Sequence, residues 1–166
     1  MTGTKRFIGT KMINAQPMTR LAYNILRGWT LPADERGEDE GFLVEYLDGG
    51  TANVPGYAGY VSWSPRDVFE RSYRPCDGMT FGLAIEALKL GKRVARAGWN
   101  GKGMFLFLVP GSTFTVNRAP LLGIYPEGTQ ITYCPHIDMK TADDKVVPWL
   151  ASQTDALAED WVEVTG

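Results

Sequence analysis

The sequence predicts an α+β protein of two small domains, each an antiparallel sheet with one or two packed helices. Three observations lead there. Segments that read as short strands are separated by turns rich in Gly, Pro and Asn. Helix starts are marked by Thr19, by Ser64 followed by Pro65, and by Thr80. Near the middle, Arg74-Pro75-Cys76-Asp77-Gly78-Met79 breaks the chain, because Pro75 disfavours helix at Arg74 and Asp-Gly is a turn signal. The expected domains are residues 1–75 and 76–166. Halves of this size fold alone only marginally, or with help from oligomerisation.

In the first half, Thr10–Ala15 reads as a strand. Thr19 caps a helix through Tyr23 and Ile25 to Leu26, stopped by Gly28. Residues 32–40 are acidic and turn-rich. Gly41–Tyr46 reads as a strand, Asp48-Gly49-Gly50 as a turn, 51–59 as a loop and Tyr60–Trp63 as a strand. With Ser64 as N-cap and Pro65 at the first helical position, a helix is expected from Pro65 to Tyr73, turning Val68, Phe69 and Ser72 to the sheet.

In the second half, Thr80 caps a helix Phe81–Leu90 with Phe81, Ala84, Ile85 and Leu88 on one face, ended by Gly91. Lys92–Ala97 reads as a strand, and Asn100-Gly101 is a strong hairpin signal. The apolar run Gly103–Val109 predicts a strand buried on both faces. Residues 110–128 read as irregular. Ile131–Lys140 pairs with Lys145–Trp149 across Ala142-Asp143-Asp144, and Asp160–Val164 closes the sheet.

Composition limits the function. With 44% apolar and 22% charged residues the chain is not disordered. A net charge of −2 gives no basic surface for DNA, RNA or membranes. No apolar run approaches the ~20 residues of a membrane span, and Met1–Thr10 lacks a signal peptide's apolar region, so a cytoplasmic protein is expected. Two cysteines, Cys76 and Cys134, form no disulfide framework. One histidine, His136, has no partner at metal-ligand spacing, so no metal or other cofactor is expected. No serine or cysteine sits in a nucleophile context, which argues against an enzyme.

Two motifs carry candidate chemistry: Arg96-Ala97-Gly98-Trp99-Asn100-Gly101 and Val147-Pro148-Trp149-Leu150-Ala151-Ser152-Gln153-Thr154-Asp155. An indole at a strand end, followed by hydrogen-bonding side chains, suits a flat heteroaromatic ligand. Trp99 and Trp149 supply stacking, Asn100, Ser152, Gln153, Thr154 and Asp155 supply edge contacts, and Arg96 offers a fork to phosphate. The structural alternative has both tryptophans as plugs at the sheet rim, Arg96 paired with a carboxylate of its own sheet, and Thr154 or Asp155 capping the turn Ala156-Leu157-Ala158. Phe105 and Phe107 read as core, Asp143 and Asp144 as a solvated hairpin tip, and Trp29 and Trp63 as packing residues.

A resemblance adds to this. It rests on Met79-Thr80-Phe81-Gly82, Ala87-Leu88-Lys89, the run Lys92–Phe105, Met139-Lys140-Thr141-Ala142-Asp143 and the run Val146–Trp161. Over these residues the chain closely resembles the phage family of Thoeris anti-defence proteins. The family consists of non-enzymatic sponges that sequester glycocyclic ADP-ribose made by TIR-domain defence enzymes, and some members take cyclic dinucleotides. The resemblance implies a homo-oligomer, a tetramer built from dimers, with ligand pockets at subunit interfaces and stacking at Trp99 and Trp149. Most of residues 7–73 resembles a second phage family, of unknown function, through Gly9-Thr10-Lys11, Pro17-Met18-Thr19-Arg20, Tyr23-Asn24, Arg27-Gly28-Trp29, Glu40-Gly41, Leu43–Tyr46 and Gly59–Pro65.

Overall fold

In the computed structural model, which describes residues 5–99 and 103–165, the chain forms two compact units that divide between Arg74 and Pro75. The fold class is α+β, with antiparallel sheets throughout.

The first unit contains β1 (Ile13–Pro17), α1 (Arg20–Arg27), β2 (Gly41–Tyr46), β3 (Tyr60–Pro65) and α2 (Arg66–Ser72), with the sheet ordered β1-β2-β3. Side chains alternate across a strand. Leu43 and Glu45 of β2 therefore share a face with their β3 partners Trp63 and Val61, while Phe42 and Val44 share the other with Ser64 and Ser62. Tyr23 of α1 joins Leu43, Val54 and Val61 in a core on the first face. Phe69 of α2 stacks on Phe42 on the second, ring centroids 4.0 Å apart. A helix on each face explains why β2 is apolar almost without alternation.

Local signals set the first helix. Thr19 Oγ1 accepts from the Ala22 amide at 3.2 Å, and Gly28, at φ +67°, takes the left-handed conformation that ends the helix. The Trp29 amide then donates to the Asn24 carbonyl at 2.8 Å, which fixes the chain's exit. Gly41 has no room for a side chain, since a Cβ would run into the Ser64 carbonyl and the Trp63 indole. Buried Glu45 holds the 51–59 loop, accepting from the Ala58 amide (2.7 Å), the Gly59 amide (3.2 Å) and Asn14 Nδ2 (3.0 Å).

Three expectations change here. The first strand starts at Ile13, where pairing with Tyr46 begins, not at Thr10. Ser64 does not cap α2: its backbone stays in the ladder opposite Phe42, and Pro65 stands at the N-cap with no side-chain bond. Of the three residues expected to face the sheet, Phe69 does so, whereas Val68 and Ser72 are exposed.

The second unit contains α3 (Phe81–Lys89), β4 (Val94–Arg96), β5 (Phe105–Val109), β6 (Ser112–Thr115), β7 (Gln130–Tyr133), β8 (His136–Lys140), β9 (Val146–Pro148), α4 (Gln153–Ala156) and β10 (Trp161–Glu163). Five strands form a sheet in the order β10-β4-β5-β8-β9, and β6 pairs with β7. Thr80 Oγ1 accepts from the Leu83 amide and caps α3, which lays Ala84, Ala87 and Leu88 against Val94, Leu106 and Trp161. Residues on β5 divide by face. Leu106 is fully buried beneath α3, while Phe105, Phe107 and Val109 are only half-buried, so the expectation of burial on both faces is corrected.

Residues 110–128, read as irregular, include β6, and the expected strand Ile131–Lys140 is two strands. The pairing register that joins β5 to β8, ending at Val109 opposite His136, resumes unchanged in β6 and β7 at Ser112 opposite Tyr133. The ladder is interrupted where Pro110 and Pro135 lack an amide N–H. Gly111 fills the break, because a Cβ there would lie 2.5 Å from the Tyr133 carbonyl. The hairpin turn expected at Asn100-Gly101 lies outside the described residues. Among the described residues no helix is long and apolar enough to cross a membrane, and no group of three His, Cys, Asp or Glu could hold a metal ion.

Candidate ligand-binding site

Trp161 is the centre of the second unit. Its strand, β10, pairs with β4 so that Trp161 lies opposite Arg96, and its side chain is 0% exposed. Three aromatic rings surround the indole: Phe81 of α3 at 5.4 Å, Trp99 at 5.6 Å and 75°, and Trp149 at 6.0 Å and 84° between centroids and planes. The near-perpendicular contacts match the electrostatic preference of aromatic pairs for edge-to-face packing. Trp99 follows β4, and its amide N–H donates to the Arg96 carbonyl at 3.1 Å. Trp149 follows β9, and its amide donates to the Ile137 carbonyl at 3.0 Å. Both are half-buried, so one buried indole anchors two that keep accessible surface.

A charged network lies against the same tryptophan. The Arg96 side chain, 17% exposed, donates from Nε to Asp160 Oδ1 and from Nη1 to Asp155 Oδ1 at 2.9 Å. The other Asp155 oxygen accepts from the Ser152 hydroxyl at 2.7 Å and the Ser152 amide at 3.2 Å. In return, Ser152 Oγ accepts from the Asp155 amide at 3.1 Å, which completes a reciprocal cap on the single turn α4. The Asp155 carbonyl accepts from Trp161 Nε1 at 3.0 Å. Asp155 thus joins the turn, the arginine and the buried indole.

The electrostatics follow from this wiring. Burial pushes the Asp155 carboxyl up, but the bonds from Ser152 and Arg96 outweigh it, so the group sits below the ordinary aspartate range. Asp160 is held down first by the Arg96 hydrogen bond, against burial, with help from the Gly98 amide at 3.2 Å. Arg96 is held above its ordinary value, chiefly by the Asp160 hydrogen bond.

Of the sequence-derived candidates, the structure gathers Arg96, Trp99, Trp149, Ser152 and Asp155 around Trp161. Gln153 and Thr154 are exposed on α4, and neither side chain makes a hydrogen bond among the described residues. Asn100 lies outside the described residues. Sequence reasoning missed Trp161, Asp160 and Phe81. The available signal was the closing strand: pairing it with Val94–Arg96 puts Trp161 opposite Arg96 and Asp160 one step beyond.

Comparison with known proteins places this unit. Residues 79–164 match the family described as the Thoeris anti-defense 2-like domain. A protein named Thoeris anti-defense 2, from Bacillus phage SP01, is 46% identical over 83 residues, covering 50% of this chain and 91% of that relative. The matched stretch spans just over half of the chain and includes every element from α3 to β10, together with the Trp99 and Trp149 motifs and the buried Trp161. The chain belongs to the Thoeris anti-defense 2-like domain family.

Proposed function

We propose that the second unit binds and sequesters a cyclic nucleotide immune messenger, so that a phage carrying the protein escapes Thoeris defence. The messenger is glycocyclic ADP-ribose from a TIR-domain enzyme, or a cyclic dinucleotide. The observation that carries this reading is the pair of half-buried indoles, Trp99 and Trp149, fixed edge-on to one buried indole within a Thoeris anti-defense 2-like domain. Rings anchored in this way keep their orientation, so less freedom is lost when a base stacks on them.

The roles divide by what each side chain already does. Trp99 and Trp149 stack on the base, and Gln153 and Thr154, whose side chains make no hydrogen bond among the described residues, reach its edge and ribose. Arg96 and Ser152 are bound to Asp155, so their part is to hold the 152–155 turn in place. Asn100, which follows Trp99 in the sequence, is the remaining candidate for an edge contact. His136, at the start of β8, bonds the Cys134 carbonyl at 3.0 Å and is not among the residues packed on Trp161.

The ring contacts also favour a second reading, in which Trp99 and Trp149 only pack and the unit is an accessory phage protein. One experiment separates the readings. Purified protein is incubated with glycocyclic ADP-ribose, depleted by filtration, then heated, and the released nucleotide is identified by mass spectrometry. A sponge removes the messenger and returns it intact, an enzyme yields product, and an accessory protein removes nothing. Calorimetry on Trp99→Ala and Trp149→Ala is expected to show a loss of about ten- to a hundredfold in affinity each, the worth of one stacked base.

A further inference from the structure

The first unit, outside the family match, holds a cleft of about 550 Å³. Its walls include Tyr23, Trp29 and Trp63, and its polar groups include Arg20, Glu35 and Asn24. The Arg20 guanidinium lies 4.4 Å above the Trp63 ring and pairs with Glu35 at 2.7 Å. Arg20 Nε is buried with no hydrogen-bond partner among the described residues; the Asp39 carboxylate stands 3.9 Å away, beyond hydrogen-bond reach. Trp29 is 53% exposed, although Tyr23 meets it edge-on at 6.1 Å and Arg27 stacks on it at 4.3 Å. Arg27 donates to the Tyr23 hydroxyl at 3.3 Å and has no carboxylate partner among the described residues.

We propose that this cleft binds a guanine nucleotide, with the base between the aromatic walls and the phosphate at Arg27. The reasoning is donor against acceptor. Guanine presents two acceptors, N7 and O6, beside two donors, N1–H and N2–H. An arginine in contact with a carboxylate presents the complementary order, donors beside acceptors, and Arg20 with Glu35 forms such a pair. Adenine offers no adjacent pair of donors for the carboxylate. The exposed Trp29 surface accepts a base by stacking. Arg27, beside that ring and with no carboxylate partner among the described residues, supplies the cation that a phosphate needs. A cleft with aromatic walls and a few convergent polar groups has the make-up of a small-molecule site.

This site is independent of messenger capture in the second unit, and the experiment keeps the two apart. The full-length ¹⁵N-labelled chain is titrated with GMP, AMP and guanosine, and the five indole N–H signals are followed by NMR. GMP is expected to shift the Trp29 and Trp63 signals, and to bind equally well when Trp99 and Trp149 are both replaced by alanine. Trp29→Ala is expected to weaken GMP by about tenfold or more. Glu35→Gln is expected to abolish the preference for GMP over AMP. Arg27→Ala, which breaks no ion pair among the described residues, is expected to weaken GMP but leave guanosine unchanged. The proposal is overturned if GMP moves only the Trp99, Trp149 or Trp161 signals, or none at all. It is also overturned if AMP and GMP bind alike to the unmodified chain, or if Arg27→Ala weakens guanosine as much as GMP.

Discussion

Trp161 and Asp155 show how single residues hold the second unit together. Trp161 touches three aromatic rings with no exposed surface, so Trp161→Ala opens a cavity between α3 and the sheet; a loss of about 3–5 kcal/mol is expected from chemical denaturation. Asp155 acts through charge. Asp155→Asn keeps the shape but removes the Arg96 ion pair, at an expected cost of about 1–2 kcal/mol for a partly exposed, charge-assisted bond. The same chemistry sets a pH dependence. Asp155 and Asp160 both titrate below their ordinary value in the folded chain, so in acid the unfolded chain binds more protons. Their contribution is complete above the unfolded-state pKa of about 3.9 and is lost as pH falls through the lower folded-state values. Melting temperature measured from pH 7 to pH 2.5 is expected to drop steeply below about pH 4, and less steeply in the Asp155→Asn/Asp160→Asn variant.

Among the elements, some were legible in the sequence and some were not, for physical reasons. The α1 and α3 helices were readable because their caps are local: Thr19 and Thr80 bond amides three residues ahead, and Gly28 and Gly91 take positive φ just past the helix ends. Thr80→Ala is accordingly expected to cost about 1 kcal/mol by thermal unfolding. Ser64 misled because the same Ser-Pro pair that suits a helix start is held in a ladder by a strand more than twenty residues away in sequence. The β6–β7 pair was hidden because the two prolines that mark irregular chain here only interrupt a hairpin whose register continues beyond them. The candidate site was half legible. Its half-buried tryptophans follow strands and stand out in the sequence, but Trp161 and Asp160 matter through the pairing of β10 with β4, a contact between residues over sixty positions apart.

At the scale of the whole molecule, two expectations concern how the units stand. Strand β9 is the last in its sheet and all three of its residues are exposed, with Leu150, 90% exposed, just beyond Trp149. An open sheet edge rimmed by exposed apolar residues is a surface suited to pairing with a second copy. We therefore expect a homo-oligomer by light scattering at micromolar concentration, a tetramer as the family resemblance implies, and a smaller species for Val147→Lys/Leu150→Asp. A monomer of the unmodified chain would refute this.

The second expectation concerns independence. The similar protein from Bacillus phage SP01 has 91% of its length inside the match, so it has no room for a counterpart of the first unit. Every aromatic and charged residue of the candidate site described here lies beyond Pro75, as does the core that supports them. A chain of residues 76–166 is therefore expected to fold and oligomerise, and to bind the messenger as tightly as the full chain does. Circular dichroism, light scattering and calorimetry check the three steps in turn. A fragment that folds and assembles but binds more weakly assigns part of the site to the first unit. A fragment that binds equally well but no longer responds to GMP leaves the first unit's cleft as a separate site on the same chain.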